Sequence, residues 1–221
     1  MEQRYRKDYT GEFVISVSTW SEVMKNQQRQ WMANPLENLQ ISNRAAVIGS
    51  RIDAEMFNHT ILARHKGGLL ANKALQTYGC HNMWRDMRFD FFVTKLHSEL
   101  SEILAANYNE TTAVHTNSTN CLNWPGSFYL TPYVTAMDEM ALAVYLAAFD
   151  GHEEVFMLGY NNDTENLTNH WLEDVNTVME TYTSTNFIIV TNNPANIPDM
   201  WRNNTNVTTM SHRDFIYHCD I

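Results

Sequence analysis

The sequence predicts an α/β protein of the Rossmann-like type, a single domain with a mostly parallel sheet and helices on both faces. The main observation is the stretch 141–160, in which an almost wholly apolar helix leads through Gly151 into a continuous apolar strand. A second observation is the alternation of short β-rich runs with helical runs along the rest of the chain. In such folds ligands bind beyond the carboxyl ends of the strands, so the residues that follow each strand are the first candidates for a site.

The predicted strands are short runs of apolar, β-branched or aromatic residues, bounded in most cases by glycine or polar residues. They cover 13–18, 45–48, 75–79, 89–94, 113–115, 155–158 and 186–190. Helical composition and capping residues predict helices over 20–31, 53–65, 98–107, 141–148 and 166–182, with a helical turn over 82–87. Polar or turn-rich connections are expected over 34–43 and 117–133, and the chain is expected to end in a polar segment.

This pattern predicts two parts of the chain. Residues 1–44 form an N-terminal strand–helix appendage, and residues 45–221 form the Rossmann-like α/β domain. With 221 residues and 44% hydrophobic residues, the chain can bury a sizeable core.

The composition of the chain argues against several classes of function. The net charge of −10, with no long basic run, argues against a nucleic-acid-binding face. No apolar run reaches the roughly 18 residues of a membrane span, and the first residues do not resemble a signal peptide, so a cytoplasmic location is expected. The three cysteines and nine histidines show none of the spacings of a metal site, and no cofactor motif occurs.

The first candidate site follows the strand 45–48. Gly49, Ser50 and Arg51 lead into a predicted helix, as in turns that hold a phosphate against helix N-terminal amides. Arg51 would supply positive charge where the glycines of a dinucleotide-binding turn are missing. The alternative is an ordinary turn between a strand and a helix.

The second candidate site lies in 77–90, after the next strand. His81, Asn82 and Arg85 could contact a base or a phosphate. The alternative is that the charged residues of this segment pair with one another while Trp84 packs in the core. A Cys80–His81 nucleophile pair is disfavoured, because adjacent residues on a strand point to opposite faces.

The third candidate site follows the strand 155–158. Tyr160 and Asn161 lie at the expected mouth of the sheet, and His170 falls near the start of the next helix. A neutral imidazole there could act as a general base on a hydroxyl group. The alternative is a surface histidine on a helix.

Three segments in this order distantly resemble bacterial and phage sialyltransferase-like and motility-accessory-factor-like glycosyltransferases. In that pattern a strand ends in Gly-Asn-Gly-Pro-Ser, a Gly-Cys-Asn stretch with an aromatic residue and an Arg-Asp pair follows, and a helix led by Ser-Gly runs into a strand ending near Leu-x-Gly-x-Asp. The corresponding segments here are 47–51 (VIGSR), 79–86 (GCHNMWRD) and 143–160.

The resemblance implies transfer of a sugar from a nucleotide donor, by inversion and without an essential metal. In the sialyltransferase branch a histidine beyond the last strand is the general base, and His170 occupies a comparable place. The implied ligand contacts come from the residues after the three strands: Gly49, Ser50, Arg51, His81, Asn82, Arg85, Tyr160 and Asn161.

The sequence also supports two alternatives. Asp138 and Glu139 stand where the family has Ser-Gly, and their carboxylates would repel a nucleotide phosphate. This favours a non-catalytic structural or assembly protein, for example a homo-oligomeric phage particle component in the host cytoplasm or the virion. The 12 methionines and 6 tryptophans could supply its contact surface. A module that binds a sugar nucleotide without turnover lies between the two.

Overall fold

The structure, a computed structural model, describes residues 20–25, 28–33, 42–49, 62, 75–131, 136–160 and 170–219. Within these residues the chain builds an eight-stranded parallel sheet and a separate two-stranded antiparallel sheet. The strand predicted over 13–18 lies outside the described residues, as do most of the connection 34–43 and all of the helix 53–65 except Leu62.

The strands are β1 (Trp20–Lys25), β2 (Gln28–Ala33), β3 (Arg44–Ile48), β4 (Gln76–Cys80), β5 (Phe91–Val93), β6 (Ala113–Thr116), β7 (Tyr129–Leu130), β8 (Glu154–Leu158), β9 (Asn186–Val190) and β10 (Val207–Met210). The α-helices are α1 (His97–Ala105), α2 (Ser118–Asn123), α3 (Glu139–Phe149), α4 (His170–Thr181), α5 (Asp199–Arg202) and α6 (His212–Cys219). Short 3-10 turns cover His81–Arg85, Tyr108–Glu110 and Pro194–Asn196.

The large sheet confirms the predicted fold class. Its strand order is β10-β9-β8-β3-β4-β5-β6-β7, and every neighbouring pair is parallel. Parallel strands need crossover connections, which α1 to α5 supply between the successive strands from β5 to β10.

Both faces of the sheet carry a core. On β3, Ala45 and Val47 point to one face and Ala46 and Ile48 to the other, as the two-residue period of a strand requires. The first face packs against α3, α4 and Trp201 of α5, and the second against α1, α2 and α6. None of the three cysteines forms a disulfide, and each is buried: Cys80 in β4, Cys121 in α2 and Cys219 in α6.

The helix α3 is buried along its whole length, as its sequence predicts. The Asp138 carboxylate caps its first turn by accepting from the N–H of Met140 at 2.8 Å. Gly151 follows its end at φ 87°, a left-handed conformation that favours glycine. Among the described helices, none is long and apolar enough to cross a membrane.

The helix predicted over 20–31 is wrong, because this segment forms the antiparallel hairpin β1–β2. Its first strand lies against α2 and against β7, the edge strand of the large sheet. Helix propensity is a weak preference, and tertiary contacts of this kind override it.

The loop predicted over 117–133 is also corrected, since it contains α2 and β7. The side chain of Asn117 caps α2 by accepting from the N–H of Asn120 at 2.9 Å, a short-range signal that the turn-rich composition concealed. The polar segment predicted at the end of the chain contains β10 and α6, and α6 buries Phe215 and Cys219 against the sheet.

Candidate functional site

The order of the strands reverses between β3 and β8. From β3 the chain adds β4 to β7 on one side, then pairs β8 with the other side of β3 and continues to β9 and β10. Parallel α/β sheets bind ligands outside the carboxyl ends of the strands at such a reversal. The residues that follow β3, β4 and β8 therefore define the candidate site, which we call the crevice.

Gly49 forms the floor of the crevice. Its N–H donates to the carbonyl of Leu158 at 2.9 Å, and a Cβ atom here would lie 2.7 Å from Met140 Cε and 3.0 Å from the Tyr160 ring. Tyr160 is buried, and its hydroxyl donates to the carbonyl of Met140 at 2.9 Å. Burial raises the pKa of Tyr160 well above its ordinary value. The structure brings the predicted Gly49 and Tyr160 together as a packed floor.

His81 follows β4 directly and has a left-handed backbone, with φ 53°. This conformation costs a residue other than glycine roughly 1–2 kcal/mol, and such strain concentrates at functional sites. The His81 Nδ1 atom lies 3.2 Å from Glu139 Oε2, and its Nε2 atom lies 4.0 Å from Asp138 Oδ1. The imidazole is 31% exposed, so a ligand can reach it.

Glu139 begins α3, and it is only 5% exposed. Its Oε1 atom accepts from the N–H of Lys95 at 2.6 Å and lies 3.2 Å from Thr94 Oγ1. Lys95 follows β5, so Glu139 connects the ends of β4 and β5 to the start of α3. The two acidic residues at the start of the central helix therefore have structural roles: Asp138 caps the helix and Glu139 faces an imidazole.

The N-terminus of α3 is not a phosphate site. The N–H of Asp138 already donates to the carboxylate of Asp174 at 3.0 Å, so this end carries three acidic residues with Glu139. Two like charges 4 Å apart repel by about 4 kcal/mol at an effective dielectric constant near 20.

A second buried carboxylate, Glu99 of α1, lies behind Glu139. It is 5% exposed, and its Oε1 atom accepts from Trp84 Nε1 at 3.0 Å. Its Oε2 atom forms a short hydrogen bond with Thr94 Oγ1, which also contacts Glu139. The Thr94 hydroxyl therefore bridges the two carboxylates.

The surroundings shift the pKa values of His81, Glu139 and Glu99 in different directions. The contact with Glu139 raises the pKa of His81 above its ordinary 6.5. Burial pushes the pKa of Glu139 upward, but His81 and the N–H of Lys95 outweigh it, so that the pKa is lowered. Burial raises the pKa of Glu99. Titratable neighbours with separated pKa values are typical of acid–base sites.

The other predicted residues of this segment lie on the turn after His81. Asn82 is exposed, whereas Arg85 forms a surface ion pair with Glu102 of α1 and stacks 4.7 Å from the ring centre of Trp84. Trp84 is half-buried against the core, as the alternative interpretation expected.

The mutual pairing expected of the charged residues in this segment is wrong for three of them: Arg85, which pairs with Glu102, and Arg88 and Asp90. Arg88 donates to the carbonyl of Tyr108 at 3.0 Å and to Thr111 Oγ1 at 2.7 Å. Asp90 accepts from the N–H and the hydroxyl of Thr77. These contacts fix the β4–β5 connection that positions the crevice residues.

Cys80 does not pair with His81. Its thiol lies 3.8 Å from the carbonyl of Ile48, and burial raises its pKa well above 9.0, which disfavours the nucleophilic thiolate. The structure therefore agrees with the sequence-based expectation that Cys80 and His81 do not form a nucleophile pair.

His170 is an exposed residue at the start of α4. The next residue, Trp171, packs edge-on against Tyr160 with ring centres 6.0 Å apart, which places the start of α4 beside the crevice floor. The predicted site residues Ser50, Arg51 and Asn161 lie outside the described residues.

Sequence reasoning missed Thr94, Lys95 and Glu99. The first two follow β5, so the rule that ligands bind beyond strand ends could have identified them. Glu99 carried no such signal, because an acidic residue in a first helical turn is usually explained by the helix dipole. In the described parts of the chain, no three metal-binding side chains gather into a cluster.

Comparisons with family models, curated proteins and solved structures found no match to this chain. The fold class therefore rests on the chain's own topology, and the functional argument rests on the geometry of the crevice.

Proposed function

We propose that this protein transfers a sugar from a nucleotide donor to an acceptor hydroxyl group, with His81 as the residue that takes the acceptor's proton. The observation that carries the proposal is the His81–Glu139 pair beside the strand reversal. A carboxylate that holds one nitrogen of an imidazole leaves the other nitrogen for a substrate proton. The order of the three sequence motifs supports glycosyl transfer as the reaction class.

In this mechanism the acceptor oxygen bonds to the anomeric carbon of the donor sugar while the bond from that carbon to the donor phosphate breaks. The acceptor's proton passes to Nε2 of His81. The Nδ1–H group continues to face Glu139, whose carboxylate stabilises the imidazolium as it forms. The raised pKa of His81 brings its titration closer to the pH at which general bases work best in neutral solution.

We assign the two substrates to different sides of the crevice, and the distribution of charge supports this. The acidic start of α3 suits acceptor hydroxyls, which can donate to Asp138. We assign the donor phosphates to the region beyond β3 and β8, where Ser50, Arg51 and Asn161 follow in the sequence. Arg51 is the cation that would hold them.

Turnover by three histidine and glutamate variants tests the assignment. We expect His81→Gln to lower kcat by roughly 10²–10⁴ with the fold retained, and Glu139→Gln to lower it as well. His170→Gln is the matched control, since it removes an imidazole at the other side of the crevice floor and should leave kcat unchanged. If His170→Gln abolishes turnover and His81→Gln does not, His170 is the base and our assignment is wrong.

Ligand binding tests the function itself. A sugar nucleotide at 100 times its dissociation constant should stabilise the protein by about 2.7 kcal/mol, which a thermal-shift panel would detect. No shift with any donor, together with large assemblies in light scattering, would overturn the proposal. That result would favour the non-catalytic assembly role, including a component of a phage particle.

A further inference from the structure

The Thr94 hydroxyl lies between two buried carboxylates. It contacts Glu99 Oε2 and, at 3.2 Å, Glu139 Oε1, while its oxygen accepts from the N–H of Leu96 at 3.2 Å. A hydroxyl group carries one proton and can donate to only one acceptor. If both carboxylates were ionised, one of the two oxygen–oxygen contacts would have no proton between its atoms. A single additional proton on one carboxylate satisfies both contacts.

The surroundings identify Glu139 as the carboxylate that is ionised. It accepts from the N–H of Lys95 at 2.6 Å and lies 3.2 Å from His81 Nδ1. It also begins α3, where the helix dipole favours a negative charge. Although burial opposes ionisation, these neighbours lower its pKa.

The surroundings of Glu99 favour its neutral form. Its Oε1 atom accepts from the uncharged indole N–H of Trp84 at 3.0 Å, which stabilises a carboxylate less than a charged donor would. The side chain is buried, and burial together with the nearby charge of Glu139 outweighs the hydrogen bonds from Thr94 and Trp84, so that its pKa is raised. As a neutral acid, Glu99 can donate to Thr94 Oγ1, which then donates its own proton to Glu139.

We propose that Glu99 and Glu139 share one proton, which resides on Glu99 and, through Thr94, keeps Glu139 ionised against His81. Glu99 is then a positioning residue: as a neutral donor it orients the Thr94 hydroxyl toward Glu139 without touching a substrate. The proposal deepens the proposed function, because the charge of His81 determines the pH dependence of turnover. It holds equally for the protein without substrate.

Other charged groups face the same imidazole and must be included. Asp138 Oδ1 lies 4.0 Å from His81 Nε2 and favours the imidazolium. The Lys95 ammonium donates to the carbonyl of Met137 at 2.6 Å, which brings a positive charge to the start of α3. The Cys80 thiol is neutral near pH 7 because its pKa is raised by burial and then by the carboxylates.

The first experiment locates the proton directly. Infrared spectra of the full-length protein near neutral pH should contain the C=O band of a buried carboxylic acid, and Glu99→Gln should remove it. Glu102→Gln is the matched control, since Glu102 lies on the same helix in an exposed ion pair with Arg85. A wild-type spectrum without the band, or a band that survives in Glu99→Gln, overturns the proposal.

The second experiment measures the pKa of His81 by NMR titration in the same variants. Glu139→Gln should lower that pKa, because it removes the adjacent negative charge. Glu99→Gln should leave it nearly unchanged, because an uncharged acid is replaced by an uncharged amide. If Glu99→Gln lowers it as much as Glu139→Gln does, Glu99 is ionised in the native protein and the proposal fails.

Thr94→Val removes the bridging hydroxyl with little change in side-chain volume. We expect the carboxylic-acid C=O band of Glu99 to shift, since the acid loses the oxygen to which it donates, whereas an unshifted band would contradict the bridge. Circular dichroism of each variant confirms that the fold is retained. All of these measurements are made without substrate. An absence of sugar transfer would therefore refute the proposed function but would not affect the test of the shared proton.

Discussion

His81 combines a left-handed backbone with a side chain held between acidic residues, so its backbone opposes folding while its ion pair favours it. Asparagine tolerates this backbone conformation better than most residues and carries no charge. His81→Asn therefore removes the ion pair and keeps the local backbone.

The pH dependence of stability should report this ion pair. Since the pKa of His81 is raised in the folded protein, its contribution to stability is full below pH 6.5 and is lost as the pH rises through the folded pKa. We expect the difference in unfolding free energy between the wild type and His81→Asn to be largest below pH 6.5 and to shrink as the pH rises through the folded pKa of His81. Urea titrations at several pH values measure it, and a difference independent of pH would contradict the assignment.

The contact of Gly49 with the crevice floor gives a prediction about packing. Gly49→Ala places a methyl group 2.7 Å from Met140 Cε, so we expect a loss of about 1–3 kcal/mol in unfolding free energy. Combining it with Met140→Ala relieves that clash, and the double variant should be less destabilised than the sum of the single variants. Urea unfolding of the wild type, the two single variants and the double variant completes this double-mutant cycle. Strictly additive losses would show that the clash with Met140 does not cause the destabilisation.

At the scale of elements, α3 depends on its cap. Asp138→Ala should lower stability by about 1 kcal/mol, because the N–H of Met140 loses its acceptor. Asp138→Asn retains an oxygen acceptor and should stay close to the wild type. Chemical denaturation of the two variants separates capping from charge, and equal losses would indicate that the charge dominates.

Elements with a strong local pattern were predictable from the sequence. Local residue patterns determine the apolar helix and strand of 141–160 and the strands β3 and β9. The hairpin β1–β2 was not predictable in this way, because its residues favour a helix and its strand conformation is accompanied by contacts with β7 and α2.

The site was predictable in part for a related reason. Gly49, His81 and Tyr160 were found because each follows a strand, and strand ends can be read from local patterning. The contact of His81 with Glu139 was not found, because Glu139 belongs to a helix that meets the end of β4 only after folding. Glu99 was missed for the same reason, since it reaches Thr94 beyond β5 from α1. The carboxylates that looked wrong for a phosphate are those that face the imidazole.

At the scale of the molecule, the hairpin and the large sheet are separate hydrogen-bonded units. A chain that begins at Ser42 keeps all eight strands of the large sheet, so we expect it to fold and unfold cooperatively. Its stability should be lower than that of the full chain, because β1 lies against α2 and β7. Circular dichroism during thermal unfolding tests this, and loss of the cooperative transition would show that the first 41 residues belong to the domain.

The three buried cysteines have a kinetic consequence. A buried thiol reacts with a solution reagent only when the structure around it opens. Cys80 belongs to the core on the α3 face of the sheet, whereas Cys121 and Cys219 belong to the opposite core. Thiol labelling followed by mass spectrometry would therefore measure how fast each face of the native protein opens. If a bound molecule slowed the labelling of Cys80, that molecule would occupy the crevice above it.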